Sequence, residues 1–300
     1  MKKKNLELNA IFAVAEEMKK NDGEDSYYYN AGEGHFFIAS LDGCGGSGSK
    51  RYMNYSGKTG AYIASRAVCG GIQAWLSESG EEKEFDGYIE KALDVCKKYA
   101  DKSGRVMGSL AKAFPTTVAA ISGKSNQGKL DAHCLWAGDS RCYMMDENGL
   151  HQLTQDDLDG EDAMSNLTSD GVMTNVVNAT TPFEIHHKTV KIDHPCILFT
   201  ATDGCFGYLK TPMAFENLLI GALSEARNPF EWKVALNERM SAVAGDDYTL
   251  CVAVCGYQGF DELRKAYSDR HKFIIENYMT SDEDPNLLWE KYKVEYSKYL

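Results

Sequence analysis

FFIASLDGCGG, residues 36–46, is the stretch of sequence that decides the fold. Its first half is apolar apart from Ser40, as is typical of a short buried strand, and we expect this strand to cover residues 34–41. The Asp42-Gly43 pair that ends it favours a tight turn, and a glycine-rich loop follows. The stretch therefore predicts a buried strand with one carboxylate just beyond its end.

Carboxylates stand next to an apolar strand at further places along the chain. They are Asp139 after the strand at 130–136, Asp203 after the strand at 196–202, Asp246-Asp247 before the strand at 248–255, and Glu24-Asp25 beside an early strand. Any one of these is explained by a turn. Together they predict an all-oxygen cage at converging strand ends, which suits Mg²⁺ or Mn²⁺ rather than zinc.

Carboxylates gathered this closely raise one another's pKa unless cations lie between them. Two cations about 3.5–4 Å apart share a water molecule and lower its pKa, which makes it a nucleophile for a phosphate ester. The chain carries 32 basic and 44 acidic side chains, a net charge of −12, so a phosphate site in it needs cations to neutralise the substrate. The same charge argues against nucleic acid or an anionic membrane surface as a partner.

The order of the elements predicts an α+β fold. Strand patterns at 8–15, 117–121, 130–136, 141–145, 187–192 and 196–202 surround helical patterns at 61–75, 85–102 and 231–243. We expect two sheets packed face to face with helices outside. Residues 155–181 are polar and without periodicity, which indicates a long functional loop. Residues 257–300, hereafter the tail, are charged, rich in tyrosine and helical in pattern around 263–278 and 286–299, and we expect them to form an appended helical pair.

Other features of the composition bear on the compartment. The apolar runs are too short to span a bilayer, and the basic start of the chain is not followed by a signal-like apolar region. Nine scattered cysteines fit buried free thiols, since none has zinc spacing. We expect a cytoplasmic monomer.

Several short motifs occur in a fixed order: Glu24-Asp25, Leu41-Asp42-Gly43-Cys44-Gly45-Gly46, Pro115-Thr116-Thr117, Ala137-Gly138-Asp139-Ser140-Arg141, Leu153-Thr154, Ala201-Thr202-Asp203-Gly204 and Asp246-Asp247. In this order they resemble the protein phosphatase 2C family, the metal-dependent serine/threonine protein phosphatases. The resemblance covers residues 8–256. It implies a four-layer α-β-β-α sandwich of two antiparallel sheets flanked by helix pairs, with a catalytic domain at 1–256 and the tail as an extension. It also implies a phosphorylated protein as substrate.

The resemblance also implies roles for individual residues. Asp42 would bridge two Mn²⁺ or Mg²⁺ ions; Asp203 and Asp246 would complete the first site, and Asp25 with the Gly43 carbonyl the second. Glu24 would bind a cation through a water molecule, or would contact the residues that bind it. Asp139 would join Asp203 around a third metal. Residues 155–181, hereafter the flap, lie where the family has a flap that shapes substrate access.

The chain departs from the family's pattern in three places. Lys20 stands where the family has a phosphate-contacting arginine, so the bidentate contact is lost. Cys44 follows Asp42-Gly43 where many members have a proposed histidine acid, and Asp246-Asp247 replaces the usual Asp-Asn. An alternative is therefore a pseudophosphatase, a binding module of the same fold. A cysteine phosphatase around Cys134 is disfavoured because its loop to Arg141 is too long. A nucleotide-binding loop at 43–50 is disfavoured because it lacks the Walker register.

Overall fold

The computed structural model describes residues 6–99, 112–160, 162–168 and 171–300. Twelve strands lie within these ranges: β1 Leu8–Glu16, β2 Ser26–Gly32, β3 His35–Leu41, β4 Arg51–Tyr52, β5 Lys58–Thr59, β6 Val118–Asn126, β7 Lys129–Ala137, β8 Arg141–Asp146, β9 Gly149–Gln152, β10 His186–Ile192, β11 Cys196–Ala201 and β12 Tyr248–Cys255.

The α-helices of the described ranges are α1 Gly45–Gly48, α2 Gly60–Glu78, α3 Phe85–Tyr99, α4 Ser165–Thr168, α5 Pro212–Glu225, α6 Pro229–Ser241, α7 Phe260–Ala266, α8 Ser268–Ile274 and α9 Pro285–Tyr296. Three of the longer ones begin at a side-chain cap. Thr59, Thr211 and Asn228 each accept a hydrogen bond from a backbone N–H of the first turn, which satisfies a donor that the helix cannot pair internally. None of the described helices is both long enough and apolar enough to cross a lipid bilayer.

Two five-stranded antiparallel sheets form the centre of the fold. The first has the strand order β1-β12-β11-β8-β9 and the second the order β10-β7-β6-β3-β2. Alternate residues of their strands point to opposite faces. In β11, Leu198 packs into the cluster between the sheets, whereas Phe199 packs outward among helix residues.

Helices cover the outer face of each sheet. Residues of α2 and α3 share a core cluster with β3, β6 and β7 of the second sheet. Residues of α5, α6 and the tail share another cluster with β8, β11 and β12 of the first sheet. The four-layer α-β-β-α arrangement with flanking helix pairs is therefore confirmed, and the tail helices add to the first-sheet side.

The strand pattern predicts the sheets well and the helices less completely. Helix α5 was missed, because PMAFENLLIGALSE is apolar on nearly every face and shows no helical periodicity. Its buried surroundings explain this, since α6 and the tail cover the face that would otherwise be polar. Helix α3 is described as far as Tyr99, and residues 100–102 of the predicted helix lie outside the described part.

The predicted tail helix at 263–278 is divided in the structure. Helix α7 ends before Tyr267, α8 follows, and Ile275–Met279 continues as a π-helix. The hydroxyl of Tyr267 donates to the Met145 carbonyl of β8 at 2.7 Å, which ties this break to the first sheet.

Helix α5 supplies a test of the core. Leu219 is fully buried in the helix-covered cluster, so Leu219→Ala is expected to lower the free energy of unfolding by about 2–5 kcal/mol. The matched control is Leu287→Ala on α9, whose side chain is 61% exposed and whose loss is expected to cost less than about 0.5 kcal/mol. Urea denaturation measures both; equal losses would contradict this assignment of α5 to the core.

Candidate active site

The strand ends that carry carboxylates meet at one end of the sandwich. Ser26 pairs with Leu41 in the second sheet, which places Asp25 next to Asp42. Ala201 pairs with both Arg141 and Leu250 in the first sheet. Antiparallel pairing thus brings the end of β11, the start of β8 and the start of β12 to one edge, with Asp203, Asp139 and Asp246 beside them.

Hydroxyl groups join the two sheets at this end. The hydroxyls of Ser40 on β3 and Thr200 on β11 lie 2.9 Å apart across the sandwich. The Thr202 hydroxyl donates to the Asp25 carboxylate at 2.8 Å and accepts from the Thr249 backbone N–H at 2.8 Å. Asp25 is therefore fixed to the opposite sheet, and two of the motifs quoted above are in direct contact.

Asp42 is held in place by its backbone. Its N–H donates to the Thr117 hydroxyl at 3.0 Å, and its carbonyl accepts from the Thr116 hydroxyl and the Thr117 N–H, each at 2.8 Å. The Thr117 hydroxyl also lies 2.6 Å from that of Ser140, next to Asp139. The threonine pair thus fixes the backbone of Asp42 and contacts Ser140, the residue that follows Asp139.

The pair Asp246-Asp247 divides into two roles. The Asp247 carboxylate accepts from the Met18 N–H at 2.8 Å and from the Glu24 N–H at 2.6 Å. It therefore anchors the segment that carries Glu24-Asp25. Asp246 is exposed beside the cluster, and this arrangement favours Asp246 over Asp247 as the residue that faces a cation.

The electrostatics of the site follow from this crowding. Burial, and after it the charge of Asp203, raises the pKa of Asp25 to about 8 and that of Asp139 to about 8. Burial and the charge of Asp246 raise the pKa of Asp203 to about 6. The pKa of Asp42 is raised well above its usual value by burial and by the charges of Asp203, Asp25, Asp139 and Asp246. The carboxylates therefore interact as one group.

A divalent cation fits this group on chemical grounds. Cations between carboxylates compensate both the burial of their charges and their mutual repulsion, the two causes of the raised pKa values. In addition, the Asp139 Oδ1 atom is buried without a hydrogen-bond partner, and such an atom is satisfied by a metal ligand bond. Among the described side chains, no three His, Cys, Asp or Glu residues already converge closely enough to hold a metal ion. The fit therefore rests on the donor chemistry and the unpaired oxygen.

Glu24 and Gly43 lie on the α2 side of the cluster. The Glu24 carboxylate accepts a hydrogen bond from the Thr59 hydroxyl, and burial first, then the charge of Asp247, raises its pKa. A Cβ at position 43 would lie 2.6 Å from the Ala61 carbonyl oxygen and 2.8 Å from that of Glu24. Glycine is thus required here by close backbone packing.

Lys20 is exposed in the described structure. It lies in the turn between β1 and β2, where its neighbours Asn21 and Asp22 make the contacts, with Glu17 and Lys58 respectively. Cys44 is part of the site: burial and the charge of Asp42 raise the pKa of its thiol well above the usual value. The thiol therefore stays neutral and is neither a thiolate nucleophile nor an acid at neutral pH.

Two residues that sequence reasoning missed lie beside the cluster. The Lys112 ammonium is close enough to Cys44 to oppose the rise of its pKa. Tyr208, 52% exposed, has a raised pKa from partial burial and from the charges of Asp246 and Asp203. No motif marks either one. Cys134, the centre of the rejected cysteine-phosphatase reading, is fully buried in β7 between the sheets.

Comparison with known proteins gives a family match. The model of the family described as Protein phosphatase 2C matches residues 18–240. No curated protein matches the sequence.

Solved structures share the fold. PppA, described as a key regulatory component of T6SS in Pseudomonas aeruginosa, is 17% identical over 84% of this chain and 99% of its own, with a TM-score of 0.58. The serine/threonine phosphatase PstP/Ppp of Mycobacterium tuberculosis is 15% identical over 84% of this chain and 100% of its own, with a TM-score of 0.58. The catalytic domain of PstP in complex with two manganese ions is 17% identical, covers 83% of this chain and 99% of its own, and has a TM-score of 0.55.

The raised pKa values predict how stability depends on pH. A carboxyl of the unfolded chain titrates at about 3.9, whereas those of Asp25 and Asp139 titrate at about 8 in the fold. Between these values the folded protein keeps protons that the unfolded chain releases. The free energy of unfolding of the metal-free protein is therefore expected to fall between about pH 4 and about pH 8 through these groups.

The variant Asp139→Asn isolates one of these groups. Urea unfolding in EDTA, at several pH values across this window, is expected to show a shallower decline for Asp139→Asn than for the unmodified protein. All other ionisable groups are the same in both proteins. Identical pH slopes would show that Asp139 does not titrate with a raised pKa.

Proposed function

Because the chain belongs to the protein phosphatase 2C family, we propose that it hydrolyses phosphoserine and phosphothreonine in proteins with the help of two divalent metal ions. The observation that carries this proposal is the group of mutually repelling carboxylates at one end of the sandwich, Asp25, Asp42, Asp139, Asp203 and Asp246. Such a group needs cations, and cations beside a phosphate ester promote its hydrolysis.

We propose the following residues as those that would hold Mn²⁺ or Mg²⁺. Asp42, which interacts with each of the other four aspartates, is the candidate for a ligand shared by two ions. Asp203 and Asp246 would serve the first, and Asp25 with the Gly43 carbonyl the second. Glu24 would act through water, and Asp139 with Asp203 would serve a third ion. Bound cations supply a water nucleophile and neutralise the charge of the phosphate.

The protein's own groups would orient the ligands and the substrate. Thr117 and Thr202 hold Asp42 and Asp25 in fixed positions, which lowers the cost of assembling the site on each turnover. Lys20 is the proposed phosphate contact, and Lys112 is a second cation on the Cys44 side. Because the Cys44 thiol holds its proton tightly, we propose that it does not protonate the leaving group.

The remaining expectations concern partners and setting. We propose that residues 1–256 carry the catalytic site, that a phosphorylated protein is the substrate, and that the protein acts as a cytoplasmic monomer. The nine cysteines are all free and eight of them are buried, which supports a reducing compartment. The net charge of −12 supports a partner other than nucleic acid or an anionic membrane.

The alternative is a pseudophosphatase that binds partners without turnover. Cys44 and the exposed position of Lys20 are the observations that keep this alternative in view. The two functions differ in one measurable property. Only the phosphatase shows metal-dependent hydrolysis that is lost when a single carboxylate of the cluster is removed.

Asp42→Asn provides the direct test, because it removes a negative charge with almost no change in shape. We expect Mn²⁺-dependent hydrolysis of a phosphothreonine peptide to fall by about a hundredfold or more, since several kcal/mol of transition-state stabilisation depend on the ions. Phosphate release measured with Mn²⁺ and with EDTA gives the result.

Asp269→Asn is the matched control, because its carboxylate is 97% exposed on α8. We expect this variant to keep the full rate. A rate for Asp42→Asn within twofold of the unmodified protein would contradict the proposed role of Asp42, and a lack of EDTA-sensitive turnover in the unmodified protein would favour the pseudophosphatase.

Lys20→Ala tests the proposed phosphate contact. An exposed charge pair contributes up to about 1 kcal/mol, so KM for the phosphopeptide is expected to rise up to about fivefold at unchanged kcat. Lys20→Arg is expected to restore KM. An unchanged KM in Lys20→Ala would contradict a phosphate contact by Lys20. Lys112→Ala would then test whether Lys112 makes this contact instead.

A further inference from the structure

The tail shares a hydrophobic core with the flap. Trp289, Tyr292 and Tyr296 of α9 are buried in the same cluster as Ala163 and Met164 of the flap. The match to the family ends at residue 240, well before the tail begins. The tail is therefore an addition to the matched region that nevertheless packs directly against the segment beside the carboxylates.

One polar contact joins α9 to the start of α4. The indole N–H of Trp289 donates to Asp162 Oδ2 at 2.8 Å. The other oxygen of Asp162 accepts from the backbone N–H groups of Met164 and Ser165, each at 3.0 Å. Asp162 thus caps the short helix of the flap, and the tail holds the capping carboxylate in place.

A second contact joins α9 to the base of the flap through an arginine. The Tyr296 hydroxyl lies 3.3 Å from that of Tyr143 and 3.5 Å from Arg141 Nη1. Arg141, 2% exposed, donates to the Asp156 carboxylate at 2.6, 2.9 and 3.1 Å. Asp156 also accepts from the Asn166 side chain at 2.8 Å. The buried ion pair therefore connects the tail to two parts of the flap.

These contacts border a cavity at the carboxylate cluster. The cavity, about 440 Å³, is lined by Asp139 and Asp203 of the carboxylate cluster and by flap residues that include Asp156, Leu158 and Leu167. Neither Trp289 nor Tyr296 lines it. A larger cavity of about 960 Å³ lies between α2 and α3, and none of the clustered carboxylates lines it.

We propose that the tail is a positioning element that holds the flap as a wall of this substrate cavity, with Trp289 and Tyr296 as the positioning residues. This inference rests on the proposed function for its consequence in catalysis. The physical reason is that each contact restrains a group that holds the flap. Trp289 donates directly to the Asp162 carboxylate, whereas the Tyr296 hydroxyl accepts from Arg141, which in turn donates to Asp156. Removing either hydrogen bond therefore loosens the flap. The tail then sets how well a protein substrate binds, and the chemical step depends on the carboxylates.

Hydrogen–deuterium exchange of the full-length, metal-free protein tests the positioning role without any activity. Trp289→Phe removes the indole N–H and Tyr296→Phe removes the hydroxyl, while both keep an aromatic ring. Flap amides at 156–160 and 162–168 are expected to exchange about fivefold to tenfold faster in each variant, because one hydrogen bond no longer opposes local opening.

Tyr292→Phe is the matched control on the same helix. The Tyr292 hydroxyl donates to Glu216 on α5, and this contact involves no flap residue. We expect α9 to exchange faster in this variant and the flap to exchange at the unmodified rate. Flap exchange that is unchanged in Trp289→Phe and Tyr296→Phe, or equally fast in Tyr292→Phe, would overturn the proposal.

Kinetics test the consequence for catalysis. Trp289→Phe and Tyr296→Phe are expected to raise KM for a phosphothreonine peptide about fivefold, while kcat for p-nitrophenyl phosphate stays within about twofold. An unchanged peptide KM would overturn the link to substrate binding. Absence of turnover in the unmodified protein would instead contradict the proposed function, and the exchange measurement would still decide the positioning role.

Discussion

Mutual repulsion among five aspartates is the constraint on which the rest of the structure depends. At one end of the sandwich, burial first and then the charges of neighbouring aspartates raise the pKa values of Asp25, Asp42, Asp139 and Asp203, and Asp246 is among the neighbours that contribute. A fold that only needed stability would not gather negative charge in a half-buried site, because each desolvated carboxylate is unfavourable without a partner. The cluster therefore indicates that the site is built for positive charge from outside the chain.

The sheets and their hydroxyl groups keep these charges together. Antiparallel pairing brings the strand ends to one edge, and side chains such as Thr117 and Thr202 hold the flanking segments across the gap between the sheets. The helices on the outer faces bury the apolar side of each sheet. Stability of the helix-covered cores thus offsets the unfavourable electrostatics of the carboxylate end. The tail belongs to the first-sheet core and extends this support to the flap.

Much of this was predictable from local sequence, and the failures have physical causes. Strand boundaries follow from apolar runs ending at Asp-Gly, as at Leu41 and Ala201, because a buried strand and a tight turn each leave a local signal. Helix α5 leaves no such signal in the sequence, since a helix buried on nearly all sides has no polar stripe. Asp156 and Trp289 were also missed, because a flap residue and a tail residue meet their partners only through tertiary packing. Lys112 and Tyr208 were missed for the same reason.

Location of bound cations tests the central claim most directly. Crystals soaked in Mn²⁺ and measured at the manganese absorption edge would show the ions by their anomalous scattering. We expect at least two peaks, about 3.5–4 Å apart, with an Asp42 oxygen between them and Asp203, Asp246 and Asp25 as further ligands. Anomalous maps from fully soaked crystals that show no peak at this end of the sandwich, or show peaks only elsewhere, would contradict the account.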